Sequence, residues 1–76
     1  MRLRERVGSN IQAIRRSKGI SQEQLALMAE VDRRYLGKVE NAENSVSLDV
    51  LEKIARALDV DPSALVAPRA ATQDTN

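Results

Sequence analysis

Cysteine and histidine are both absent from the 76 residues, as are tryptophan and phenylalanine, which leaves Tyr35 as the one aromatic side chain. A chain without thiols or imidazoles has no disulfide framework, no cysteine–histidine zinc cluster, no thiol nucleophile and no imidazole base. Most catalytic chemistry is thereby excluded, and neither an enzyme nor a bound metal or cofactor is expected. Long apolar runs are lacking too, none approaching the roughly 20 residues of a membrane span. The N-terminal stretch MRLRERVGSN is basic but has no continuous hydrophobic block behind it, so it is not expected to act as a signal peptide. These absences describe a soluble, cytoplasmic chain. At this length a single domain has a small core, and a partner subunit would bury more apolar surface than the chain can bury alone.

Charge of one sign is scarce overall, the net value being +1, but its distribution is lopsided. Through Lys38 nine lysines and arginines stand against four acids, a balance of +5, while the remainder carries three against seven, a balance of −4. A basic first half and an acidic second half suggest one face for a polyanion and another for a different partner. Solvated helix faces of mixed charge are the alternative at this stage.

The apolar residues recur at helical spacing throughout. Leu3, Val7, Ile11 and Ile14 form one stripe of an amphipathic helix that should end near Gly19. Ser21 and Gln24 have the form of a capping box and open a second helix, with Leu25, Met28 and Ala29 as its inner face and Ala26 small enough for close packing. That helix should end near Glu30. Asp32 caps a third, so the connection is a tight helix-to-helix turn. Asn41 to Ser47 is a polar loop, and Ser47 caps a fourth helix whose core stripe is Leu48, Leu51, Ile54, Ala55 and Leu58. Asp61 and Pro62 read as the N-cap and first position of a short fifth helix through Leu65 and Val66. No stretch alternates like a strand, so the expected fold class is all-α, with five short helices. The expected domain is 1–67, followed by a mobile tail over 68–76 that has no hydrophobic pattern.

The stretch VDRRYLGKVEN, Val31 to Asn41, is unusual in carrying Gly37 near the middle of a helix, where glycine costs roughly 1 kcal/mol relative to alanine. At about 100° per residue, Leu36 and Val39 point to the core, while Arg33, Arg34, Gly37, Lys38 and Asn41 fall together on the opposite arc. A positive outer face with a gap in it suits a helix pushed into the DNA major groove. The missing side chain lets the backbone come close while Arg33, Arg34 and Lys38 reach base edges and phosphates.

The segment GISQEQLALMAEVDRRYLGKVENAENSVSLDVLEKIARALDV resembles the helix-turn-helix domain of the phage-repressor class, the lambda/434 repressor and Cro (XRE-like) type of bacterial regulator. The resemblance runs from about Leu3 to Val66 and rests on Ser21-Gln22, Leu25-Ala26, Leu36, Val39, Glu40-Asn41 and the Leu48, Leu51, Ile54, Ala55 series. Glu30 departs from the pattern, since many members have glycine at that turn. DRRYLGKVEN followed by SVSL is similar, within this class, to the small controller proteins of restriction-modification systems.

The resemblance implies a lambda repressor-like fold with the helix-turn-helix at helices two and three, and a recognition helix from about Arg33 to Asn41. It places Arg33, Arg34 and Lys38 towards the bases; arginine can donate two hydrogen bonds to one guanine, with phosphate contact as the alternative, favoured for Lys38. Ser21 and Gln22 stand at a helix N-terminus, where anions are favoured, and the resemblance implies that Gln22 both binds phosphate and braces Arg33. Tyr35 either reaches a phosphate or simply packs on the domain. Asn41, Asn44 and Ser45 form the loop that runs along the DNA backbone in relatives, a merely polar turn being the alternative. Arg15 and Glu40 match a structural pair that bridges helix one to the end of helix three. Glu23 is an ordinary first-turn acid or a contact for RNA polymerase.

The expected function is a sequence-specific transcriptional regulator that binds a double-stranded DNA operator as a homodimer, with Val60, Leu65 and Val66 as the candidate interface. An antitoxin whose main partner is a toxin protein, or a helical protein-interaction module, are the rival readings.

Overall fold

The computed structural model describes residues 2–68, and the tail from residue 69 onward, with its expected mobility, lies outside the described residues. The chain forms α1 (Leu3–Ser17), α2 (Gln22–Ala29), α3 (Arg33–Glu40), α4 (Leu48–Leu58) and α5 (Ser63–Val66). No strand occurs among the described residues.

Short polar side chains start α2, α3 and α4. The Ser21 hydroxyl accepts from the Gln24 N–H at 3.0 Å while Gln24 Oε1 accepts from the Ser21 N–H at 2.8 Å, a reciprocal capping box. Asp32 Oδ1 accepts from the Arg34 N–H at 2.7 Å, and Ser47 Oγ from the Val50 N–H at 3.1 Å. Asp61 Oδ2 accepts from the Ser63 N–H at 2.9 Å. Hydrogen bonds from the Ser63 side chain and backbone hold the Asp61 carboxyl below its ordinary value. Between α2 and α3 the chain turns by placing Glu30 in the left-handed region, φ 60°. The turn is therefore made by an exposed glutamate, at a conformational cost of about 1–2 kcal/mol.

The core gathers Val7, Ile11, Leu25, Ala26, Ala29, Leu36, Val39, Leu51, Ile54, Ala55, Leu58 and Leu65 from all five helices. Three stripe residues depart from expectation: Leu3, Met28 and Leu48 are 59%, 51% and 83% exposed. Leu3 and Leu48 are the first residues of α1 and α4, and side chains there overhang the end of the packed interface. Met28 falls outside the narrow arc that Leu25, Ala26 and Ala29 present to the core.

The candidate dimer interface needs a larger correction. Leu65 is fully buried, and Val60 and Val66 are partly buried against the core. The helix that carries Leu65, α5, docks on α1. Asn10 Nδ2 fixes this docking by donating to the Leu65 carbonyl at 3.0 Å and the Ala67 carbonyl at 2.8 Å. What the sequence offers as surplus apolar surface is the last piece of the core.

Gly8 escapes sequence reading altogether. A Cβ built there would lie 2.5 Å from the Val39 carbonyl oxygen and 2.6 Å from that of Glu40. The backbones of α1 and α3 touch at this point, and only glycine permits it.

Candidate nucleic-acid interface

One face of α3 is immobilised from beneath. Arg15 of α1 grips Glu40 with both ends of its guanidinium, Nε to Oε2 at 2.8 Å and Nη2 to Oε1 at 2.9 Å. Arg15 Nη1 also donates to the Ile20 carbonyl at 3.1 Å. Gln22 Nε2, from the first residue of α2, donates to Glu40 Oε1 at 3.2 Å. Arg15 and Glu40 are both buried, so these bonds form where water competes little. The hydrogen bond that Arg15 donates to Glu40, aided by the carboxylate's charge, raises the Arg15 pKa against the opposing effect of burial. The cluster ties α1, the turn after it, the start of α2 and the end of α3 into one unit.

Two expectations about this region change. Gln22 directs its amide N–H to Glu40, and no hydrogen bond from it to Arg33 occurs among the described residues. Its amide also lies beside Gly37: a Cβ there would come within 3.4 Å of Gln22 Oε1. The bare flank of α3 thus faces α2 and is lined by Gln22. The gap in the helix admits a neighbouring side chain within the protein, instead of marking the centre of the outward arc.

The outward arc itself holds Arg33, Arg34, Lys38 and Asn41, all exposed. Among the described residues the ion pair is Arg15–Glu40, so Arg33, Arg34 and Lys38 keep their charge available to solvent or a ligand. Ser21 is exposed and Gln22 partly buried at the start of α2, next to this arc. Glu23 is exposed in the same turn.

Tyr35 sits on the flank with its ring packed partly against the core. Its hydroxyl donates to the Ser45 carbonyl at 3.1 Å, tying α3 to the loop that follows it. The O–H, read either as a phosphate contact or as part of a tyrosine packed on the domain, is here engaged within the protein. The loop is further held by the Glu43 and Asn44 N–H groups, which donate to the Lys38 carbonyl at 2.8 and 3.3 Å. Asn41 and Ser45 are exposed and Asn44 is half-buried.

Two eight-residue helices joined by a tight turn, the second locked on one side and cationic on the other, define a helix-turn-helix DNA-binding regulator. No helix among the described residues is long and apolar enough to cross a membrane. The chain belongs to the helix-turn-helix family HTH_3, matching it over residues 11–65, a family of non-enzymatic transcription regulators. It is 42% identical over 60 residues to the control protein C.BamHI of Bacillus amyloliquefaciens, covering 78% of this chain and 74% of that one. It is also similar to the restriction-modification controller protein C.AhdI from Aeromonas hydrophila, with a TM-score of 0.80 and 40% identity over 82% of this chain and 94% of that one. SinR, a master regulator for biofilm formation solved in complex with DNA, matches with a TM-score of 0.77 and 34% identity, covering 80% of this chain and 98% of the chain in that structure.

Proposed function

We propose that the chain is a sequence-specific regulator that sets α3 into the major groove of a double-stranded operator and acts as a homodimer. The observation that carries this reading is the placement of Arg33, Arg34 and Lys38. They stand exposed and, among the described residues, without acidic partners on one arc of a helix whose other side is clamped by Arg15 and Glu40. A helix fixed in this way presents its cations in a constant geometry, which direct readout of bases requires. Arg33 and Arg34 read guanine edges and Lys38 contacts phosphate. Ser21, Gln22, Asn41, Asn44 and Ser45 lie along the sugar-phosphate backbone, with Tyr35 positioning the loop rather than touching DNA. Likeness to C.BamHI and C.AhdI supports a cytoplasmic controller of a restriction-modification system, and exposed Glu23 is the residue to test for contact with RNA polymerase.

A single module buries roughly 600–1,000 Å² on DNA, which favours two copies on a two-fold site. Selection of bound sequences from a random DNA pool is the direct test. The expected result is a symmetric site with half-sites about 34–36 Å apart or a multiple of that distance, bound with an affinity that falls steeply with salt. Recovery of no preferred sequence would remove the readout by α3.

A further inference from the structure

Met28, expected on the inner face of α2, is 51% exposed, and Leu27 beside it is 79% exposed. Both belong to the last turn of α2. A groove of about 550 Å³ runs from Met28 to the second half of α4, bordered by Glu30, Lys53, Arg56 and Ala57 and floored by the buried Ala29. Its walls come from α2 and α4, with none from α3 among the described residues. Gln22, the first residue of α2, lies beside the recognition helix, and Met28 stands about 9 Å further along the axis. A molecule held in the groove therefore leaves Arg33, Arg34 and Lys38 open to DNA.

We infer that this face docks a partner protein through an amphipathic helix that carries apolar residues along one side and acidic residues beside them. Two consecutive large apolar side chains on the crest of a helix, next to an open groove, form a surface that a partner helix can bury. The charge around the groove selects the occupant. Lys53 and Arg56 stand three positions apart on the α4 wall, both exposed and, among the described residues, in no ion pair. Past Arg56 the surface turns acidic at Glu52, Asp59 and Asp61, which repels an acidic helix and confines it to the groove between α2 and α4. Glu30, which ends α2 in a left-handed backbone position, puts a negative charge on the other wall. The acidic side of the partner thus lies against α4, and its apolar side covers Leu27, Met28 and Ala57. Charge fixes the direction of approach, and burial supplies the affinity. The inference goes beyond DNA binding, because it gives the regulator a surface for a second protein.

Chemical-shift mapping tests this with the isotope-labelled full chain and a synthetic helical peptide of about 18 residues. The peptide carries leucines at i, i+3, i+4 and i+7, glutamates along one flank and glutamines along the other; a control peptide has lysines in place of the glutamates. The glutamate peptide should give saturable shifts at Leu27, Met28, Lys53, Arg56 and Ala57 and leave Arg33, Arg34 and Lys38 unmoved. Leu27→Ser should weaken binding at least about tenfold, the effect of withdrawing one buried leucine. Lys53→Glu should weaken it at least about twofold, as for the loss of an exposed ion pair, and should raise the affinity of the lysine peptide. Circular dichroism should show both variants folded like the unmodified chain, since neither residue belongs to the core. An absence of saturable shifts, shifts centred on another face, or equal binding of the two peptides overturns the inference. Self-association of the chain that Leu27→Ser abolishes, seen by sedimentation without peptide, assigns the face to a second copy and overturns it as well. None of these outcomes bears on the DNA reading, which the selection of bound sequences tests by itself.

Discussion

Arg33, Arg34 and Lys38 project from α3 as exposed cations with no acid paired to them among the described residues, so the free energy of meeting a phosphate or a guanine is not offset there by breaking an internal ion pair. Arg33→Ala should relax base preference at one position of each half-site, at a cost of about 1–3 kcal/mol, whereas Lys38→Ala should weaken all sequences alike and reduce the salt slope by about one. Titrations against single-base operator variants separate the two, and a uniform loss for Arg33→Ala would reassign it to phosphate. Arg15 is different in kind, because it is buried against Glu40. Arg15→Ala strands a buried carboxylate and should cost about 3–5 kcal/mol in denaturant unfolding. The Arg15→Ala, Glu40→Gln double variant should lose less than the sum of the singles, and additive losses would remove the coupling. The raised Arg15 pKa means that its share of the stability is fully present below the ordinary arginine value and fades only in strong alkali.

At the scale of elements, what places α3 is its contact with α1. The two helices approach so closely at Gly8 that an added methyl would overlap the Val39 and Glu40 carbonyl oxygens, both backbone atoms that cannot rotate aside. Gly8→Ala should cost about 1–3 kcal/mol or more as the helices separate. The separation would also pull Glu40 from Arg15, so operator affinity should fall in the same variant, as calorimetry and DNA titration can show together. Starts of elements were legible in the sequence: Ser21, Asp32 and Ser47 cap as their types and positions predict, while Asp61 stands one residue ahead of the N-cap Pro62 and accepts from the Ser63 N–H. Capping is a local property, decided within three residues. Gly8 was not legible, because the need for it comes from a crossing with residues about thirty positions away.

On the scale of the whole molecule, five short helices enclose a single small core, and each contributor is hard to spare. Leu65 supplies the end of that core from a helix of four residues. Leu65→Ala should lower stability by about 2–5 kcal/mol in thermal or denaturant unfolding, and a charged replacement should unfold the chain rather than yield a folded monomer. A variant of Leu65 that kept full stability would show that α5 docks less firmly than its buried leucine and the Asn10 hydrogen bonds require.

Helical periodicity, capping residues and the family motif were enough to determine the all-helical class, the order of the helices and the cationic arc of α3, because each follows from spacing within one or two turns of chain. The Arg15 and Glu40 residues could be paired from sequence only through resemblance. Their bidentate geometry, and the recruitment of Gln22 to it, depend on where α1, α2 and α3 meet. Helical spacing named most of the core, and tertiary structure decided the residues at the helix ends. Leu48 and Leu65 look alike on a helical wheel, yet one is 83% exposed and the other 0%. The wheel records direction about one axis, whereas burial depends on how far neighbouring helices extend along it. Leu48 stands at the open start of α4, and Leu65 is carried back onto α1.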